Sequence, residues 1–293
     1  MPITTTTTQT SIVNTEFIAR ARIAARGVSL FSPGAPGRMT PGIIDVVDLR
    51  GKGTTAASWP IEDYHTAYNV AQGVDHTTAQ SYTPTDNVAT VTEIVAIETI
   101  SKMAMATAPE NSILRATRML GVAIGEKIDT DVLALNTSLD TDVGSTGAAA
   151  TFALLSNGPQ TLGAARYPGP YNSIMHDWQW YDLVNQGTTT LAAAAGILSD
   201  QFVTSYKVRD GQNVAGMSRI IVTPRVPSAN SAADRSGAIF SSFPAYGLAE
   251  LWWAEIEEEK DASLRGTEIV ITCCYGLVEV DGSAAVAFET GIS

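Results

Sequence analysis

Residues 112–139 read SILRATRMLGVAIGEKIDTDVLALNTSL, and the rest of the architecture can be worked out from this stretch. Ile113, Leu120, Ile124, Ile128, Val132 and Leu135 recur at steps of 7, 4, 4, 4 and 3, while Arg115, Arg118, Glu126, Lys127 and Asp129 fall largely outside that stripe. The spacing predicts one amphipathic helix over about 111–139, roughly 42 Å long. That is more than twice the usual length in a globular domain. Gly121 and Gly125 sit inside it at some cost in helix propensity, a spacing that would let another backbone approach closely.

Upstream the texture changes. Thr4 to Thr8 form a polar tract, and Asn14 to Arg26 read as a short helix capped by Asn14 or Thr15 and stopped by Gly27. The loop SPGAPGRMTPG, from Ser32, reads as non-helical because Pro and Gly recur every two or three residues. Ile43 to Leu49 and Val88 to Ile97 read as strands, the second with Ala89, Val91, Val95 and Ile97 on one face. About forty residues rich in Gly, Thr, Asp and Tyr separate them, too many for an ordinary hairpin loop. An excursion of that length needs a partner to lie on.

Downstream, a Gly and Ser rich link from Val143 to Ala150 leads into mixed texture: a strand after Pro170, a helix over His176 to Gln186, and strands near Phe202 to Val208 and Met217 to Val222. The end is β-rich, with strands at Leu248 to Glu257, Glu268 to Tyr275 and Leu277 to Phe288 divided by turns at Gly276 and at Asp281-Gly282. The fold class is α+β.

Composition narrows the function. The 293 residues are 45% hydrophobic and only 16% charged, against roughly 25% charged in ordinary soluble domains. The formal charge of −12 argues against electrostatically driven binding of nucleic acid or an anionic membrane. It is uneven: residues 1–40 hold Arg20, Arg22, Arg26 and Arg38 against Glu16 alone, a net +3 that leaves −15 on the rest. No window reaches the roughly 20 apolar residues of a membrane span. The N-terminus lacks the basic start and apolar core of a signal peptide, so a soluble, cytoplasmically made protein is expected. Cys273 and Cys274 are adjacent and have no second Cys or His pair, which reads as buried thiols rather than a disulfide framework or zinc site.

Reactive motifs are thin. Gly51-Lys-Gly-Thr-Thr-Ala56 matches the dinucleotide pattern G-x-G-x-x-A, but Trp59-Pro60 follows where a helix should begin, so a loop turn is the reading. His65, His76 and His176 have no metal-ligand spacing, and His176 reads as a packing or capping residue. Asp129, Asp131, Asp140 and Asp142 crowd the end of the long helix, but a calcium loop begun at Asp140 would place Thr151 where the bidentate Glu belongs. These acids are expected in Asx turns of a solvated loop. Asn136-Thr137-Ser138 is a chance sequon. Glu250, Glu255, Glu257, Glu258, Glu259 and Asp261 could pair for hydrolysis, though they read better as a charged edge that repels unwanted strand pairing. Trp252 and Trp253, on a strand, should face opposite sides. No cofactor or metal is implied.

In order along the chain, four stretches resemble the major capsid proteins of tailed bacteriophages with the Hong Kong 97-like shell fold. YTPTDNVATVTEIVAIETISKMA is similar to the returning strand of that family's extended loop. ILRATRMLGVAIGEKIDTDVLALNTS resembles its spine helix, which ends in a K-I-D-x-D-x-L-A pattern, here Lys127 to Ala134. ARYPGPYNSIMHDWQWYDLVNQGT is similar to the strand and helix that open its axial domain. The stretch from Gly237 to Phe288, with D-x-S-x-R-G at 261–266, resembles its return to the peripheral domain.

The resemblance implies an N-terminal arm at 1–33, an extended loop at 34–98, a peripheral domain from 99–150 and 263–293, and an axial domain at 151–262. Asn157-Gly158-Pro159 departs from it, because relatives continue a helix there. Implied with the fold are a non-enzymatic function, an icosahedral shell of hexamers and pentamers around double-stranded DNA, a separate scaffolding protein, a portal at one vertex and only weak contact with the packaged DNA. Assembly is expected in the host bacterial cytoplasm, and the final location is the virion. Candidate subunit-interface residues are Arg20, Arg22, Arg26, Arg38, Lys52, Trp59, Tyr64, Tyr82, Trp252 and Trp253. Lys52 is the sole lysine of the loop that could crosslink as in some relatives, and no motif supplies its asparagine. The rivals are an encapsulin-like bacterial compartment, which shares this fold, and a carboxylate-dependent hydrolase built on the Glu250 to Glu259 cluster.

Overall fold

The computed structural model describes residues 29–61, 65–73, 81, 84–107, 112–144, 146–186, 208–214, 216–230, 233–261, 263 and 265–291. In chain order its elements are α1 (Pro36–Met39), β1 (Ile44–Asp48), β2 (Ala56–Ile61), β3 (Thr85–Thr90), β4 (Thr92–Ser101), α2 (Lys102–Thr107), α3 (Ser112–Ala134), α4 (Phe152–Ala164), β5 (Tyr171–Met175), α5 (Asp177–Gln186), β6 (Val208–Val214), β7 (Met217–Val222), β8 (Ser228–Ala229), β9 (Asp234–Phe240), β10 (Tyr246–Asp261), β11 (Gly266–Glu279) and β12 (Ala285–Gly291).

The amphipathic stripe at 112–139 forms α3, 23 residues long and so about 35 Å. Its last turn tightens into a 3-10 helix at Leu135–Ser138. α3 lies on a four-stranded sheet of order β1-β10-β11-β4, in which β1 runs parallel to β10 and the other pairs are antiparallel. Leu120, Ile124, Ile128 and Val132 bury there against Ile100, Ile256, Ile269 and Ile271. The second sheet has the order β12-β9-β5-β7-β6, with β8 also on β9. Leu155 and Leu162 of α4 and Trp180 and Leu183 of α5 share a second core with Met175, Ile239 and Phe288 of that sheet. The hairpin of β2 and β3 is a separate two-stranded ribbon whose Ala57, Trp59 and Ala89 pack on Ala249 and Val280 on the first sheet's far side.

Several expectations change on contact with the structure. The loop SPGAPGRMTPG contains the single turn α1, because Pro36 occupies the first helical position, where its fixed φ and missing N–H are harmless. The loop is also a brace. Arg219 donates to the Pro36 carbonyl at 3.3 Å and to Thr40 Oγ1 at 2.5 Å, and Asn172 donates to the Pro41 carbonyl at 2.9 Å. Gly42, at φ +82°, passes so close to the Ser241 carbonyl that no side chain fits.

Val88 to Ile97 is two strands, because the chain changes partner from β2 to β11 at Val91. The core face of β4 is Ile94, Ala96 and Ile100. Val95 and Ile97 point outward, 47% and 57% exposed. Gly276 is not a turn but lies inside β11, where a Cβ would come within 2.4 Å of the Thr90 carbonyl. The turn at Asp281-Gly282 is present, with the Asp281 side chain capping a short 3-10 helix.

α4 runs unbroken through Asn157-Gly158-Pro159. Gly158 has Ile239 Cδ1 within 2.3 Å of where its Cβ would be, so packing on the second sheet holds the helix through its proline. Residues 263–293 divide between the layers, with β11 in the four-stranded sheet and β12 beside β9. Near 202–208, only the start of β6 at Val208 lies within the described residues. The expected helix at 14–26 lies outside them.

Candidate functional site

Asp129 was expected on the solvated side of the long helix, and it is fully buried. Its carboxylate accepts from Ser29 Oγ at 2.7 Å, from the Leu30 amide at 2.9 Å to both oxygens, and from the Phe31 amide at 3.1 Å. Arg225 closes the group with a contact of 2.6 Å to Asp129 and a second, of 3.0 Å, to Glu126. Burial pushes the Asp129 carboxyl up from its ordinary value, against the pull of these hydrogen bonds and the Arg225 charge. The node fastens the chain at 29–31 to the spine of the molecule.

Asp131 serves a different wall. It accepts from Tyr275 Oη at 2.7 Å and pairs with Lys127 at 2.5 Å. Residues two apart on a helix point about 200° apart, so the two aspartates of the K-I-D-x-D segment reach the arm root and β11 separately. One turn later Asn136, also fully buried, donates to the Ser236 carbonyl at 2.9 Å and accepts from Tyr246 Oη at 2.9 Å. That ties the end of α3 to both sheets, and the sequon asparagine is a structural link.

The hairpin root is a third fixed point. Trp59 is 7% exposed and donates from Nε1 to Asp45 at 2.9 Å. Its ring lies over Gly247, where a Cβ would come within 2.8 Å of the indole. Asn87 donates to the Val280 carbonyl at 2.8 Å. Beyond that root, residues 65–73 are exposed throughout.

The remaining predicted residues scatter. Arg38 is half-buried and pairs with Glu250, joining α1 to β10. Lys52 is exposed in the turn after β1, where Gly51 and Gly53 take left-handed φ of 77° and 68° and a strand follows instead of a nucleotide-binding helix. Trp253 is in the core and Trp252 is half-buried. Two register shifts at 250–255 and a φ of 45° at Ala254 form a bulge at this pair. Arg20, Arg22, Arg26, Tyr64 and Tyr82 lie outside the described residues.

His176 caps α5: the Trp178 amide donates to its Nδ1 at 3.1 Å, and its own amide donates to Gln179 Oε1 at 2.9 Å. Asp142 accepts from the Gly144 amide in an Asx turn. Both cysteines are buried and free. The acids of 255–259 are exposed along the part of β10 that β1 does not cover. Among the described residues no three His, Cys, Asp or Glu side chains gather as a metal site. The geometry built here is mechanical: three anchors fix an N-terminal segment, a helix end and a protruding hairpin.

No protein-family model matches the chain, and no curated protein does. Solved structures do. The capsid of cyanophage P-SCSP1u superposes at a TM-score of 0.64, with 14% identity over 86% of each chain. The capsid asymmetric unit of cyanophage Pam1 gives 0.64, with 13% identity over 90% of this chain and 92% of that one. A virus-like particle from Pyrococcus furiosus gives 0.57, with 8% identity over 94% and 99%. Over overlaps that take in most of the chain, it has the Hong Kong 97-like fold of phage capsid subunits.

Proposed function

We propose that this protein is the major capsid protein of a tailed phage, many copies of which assemble into an icosahedral shell of hexamers and pentamers around double-stranded DNA. The observation that carries the reading is the hairpin. β2 and β3 are fixed to the body by Trp59 and Asn87. The described residues beyond them, 65–73, are exposed, including Tyr68 at 53% and Val70 at 51%. Large apolar side chains on a projecting arm are favourable when a neighbouring subunit covers them. The fold of the capsid structures above supports the same reading.

The working parts are contact surfaces, and the chain carries out no catalysis. The hydrolase reading has little to stand on: Glu250 is tied to Arg38, and the other glutamates line an exposed strand. In this proposal the arm is 1–33 and the loop 34–98, which leaves and re-enters the body through β1 and β4, with a peripheral unit centred on α3 and the four-stranded sheet those strands share and an axial unit centred on the second sheet. β12 joins the axial unit. A separate scaffolding protein directs assembly in the bacterial host cytoplasm, a portal occupies one vertex, and the acidic body confines DNA without gripping it. The product is the virion shell. Expression with a candidate scaffold, followed by electron microscopy and sedimentation, tests the proposal. Closed shells of uniform size are expected, and monomers persisting under every assembly condition would refute it.

A further inference from the structure

α3 covers one face of the four-stranded sheet, while on the opposite face the β2–β3 hairpin covers only the end at Gly247, Ala249 and Val280 and leaves the far end bare. α3 covers the side that carries Ile94, Ala96, Ile269 and Ile271. On the other side the register places Glu257, Val270 and Ile97 in one row, with Glu255, Thr272 and Val95 on one flank and Glu259, Glu268 and Thr99 on the other. Val95 and Ile97 are largely exposed, and so are Glu255, Glu257 and Glu259. No lysine or arginine stands in these three rows. Glu259 and Glu268 are direct cross-strand neighbours, a like-charge pairing that disfavours the isolated subunit. The bare end of this face is therefore an apolar strip bordered by carboxylates.

The same chain carries the opposite surface. Lys127, Arg225 and Arg38 are each engaged with carboxylates of their own chain. On α3, Arg115 and Arg118 are exposed with no ion pair among the described residues, beside Met119 at 59% exposure. The helix lies on the covered side of the sheet, so the basic, apolar surface and the acidic, apolar surface belong to opposite layers. We propose that the bare sheet face of one copy docks on the Arg115, Arg118 and Met119 surface of the next copy, resting on the shell reading above.

Two different patches meeting head to tail make a heterologous contact. Repetition of such a contact closes into a ring when the rotation permits, whereas one self-complementary patch stops at a dimer. Charge complementarity also sets the register and rejects the parallel alternative of sheet face on sheet face, where glutamates would meet glutamates.

The test is charge reversal with rescue. The E257K/E259K pair and the R115E/R118E pair change exposed side chains, so each variant should melt as wild type does. Each alone should lower the yield of shells by about tenfold or more, since like charges then face one another across the contact. The chain carrying all four substitutions should regain most of the yield, because the contact re-forms with inverted polarity. Neutral E257Q/E259Q and R115Q/R118Q variants serve if a reversal disturbs folding, with a smaller loss expected from each. Single reversals that assemble like wild type would overturn the inference. So would a fourfold variant no better than the single sets, or loss confined to the glutamate set, which would assign the face to another basic partner. In all three cases wild-type shells still form, so the capsid reading stands; failure of the wild type to assemble removes both.

Discussion

Replacing Asp129 with alanine removes the acceptor for the Leu30 and Phe31 amides and for the Ser29 hydroxyl, and it strips Arg225 of its closest partner. Arg225 keeps Glu126 at 3.0 Å and some access to water, so its own loss is moderated. The Leu30 amide left unsatisfied costs about 1–3 kcal/mol, the Phe31 amide keeps its 3.2 Å bond to Ser29 Oγ, and breaking a buried ion pair from one side costs about 3–5 kcal/mol. These overlap rather than add, which places Asp129→Ala at about 3–5 kcal/mol. Asp129→Asn keeps one acceptor oxygen but turns an amide N–H toward donors, so a smaller loss of about 1–3 kcal/mol is expected on the same scale. Urea unfolding reads the global term. Hydrogen exchange at Leu30 and Phe31 reads the local one: both amides should be protected in wild type and exchange faster in the alanine variant, Leu30, which has no other acceptor, the more so. Stability within about 1 kcal/mol of wild type, with both amides still protected, would refute the assignment of Asp129 as the anchor. The pH dependence has a definite sign. Because burial raises the carboxyl from its ordinary value, the native state binds the extra proton, and this contribution to stability is complete below the ordinary value and lost as pH rises through the raised one. The stability difference between wild type and Asp129→Asn should therefore shrink from acid toward neutral pH.

Three further perturbations probe other parts of the frame. Gly276→Ala puts a methyl group against the Thr90 carbonyl and should cost about 1–3 kcal/mol as overpacking, seen as a lower urea midpoint; an unchanged midpoint would mean that β3 does not cross there. His176 is lowered from its ordinary pKa by burial and then by the Arg235 charge, so its cap on α5 should hold at neutral pH and weaken as pH falls from about 6.5 through the lowered value. Against His176→Ala, which should cost about 1 kcal/mol at neutral pH, thermal melts should converge in acid. Burial pushes the Cys273 thiol up to about 12 and raises that of Cys274 as well, so a thiol reagent at pH 8 should label neither in the folded protein and both after unfolding.

What could be read from the sequence was what neighbours along the chain determine. The period of α3 is local, and so are the cap at His176 and the turn at Asp281. Asp129 was misplaced because its partners are about 100 residues away, and a hydrophobic stripe gives a carboxylate no weight. A signal was present: Gly125, Asp129 and Leu133 stand four apart and are all buried, a second buried row beside the apolar one. Gly276 marks equally a turn or a close approach, and only the passage of β3 overhead distinguishes them. The bracing role of 34–42 was hidden for the same reason, since Pro and Gly report local backbone freedom and not what the backbone will touch.

The face of β4 is a more instructive miss. Period two divides Thr92 to Ser101 into two faces without saying which is inside, and here both carry aliphatic residues: Ile94, Ala96 and Ile100 on one, Val95 and Ile97 on the other. A strand apolar on both sides is what a sheet buried on both faces requires, yet at Val95 and Ile97 one subunit supplies a cover for only one of them. Each of these half-buried aliphatic side chains forgoes about half of the roughly 1.5–3 kcal/mol of full burial, repeated in every copy. The glutamates beside Val95 and Ile97 keep that face soluble in the free subunit and make its burial conditional on a cationic partner. A chain with 16% charged residues can arrange this because so much of its remaining surface is uncharged.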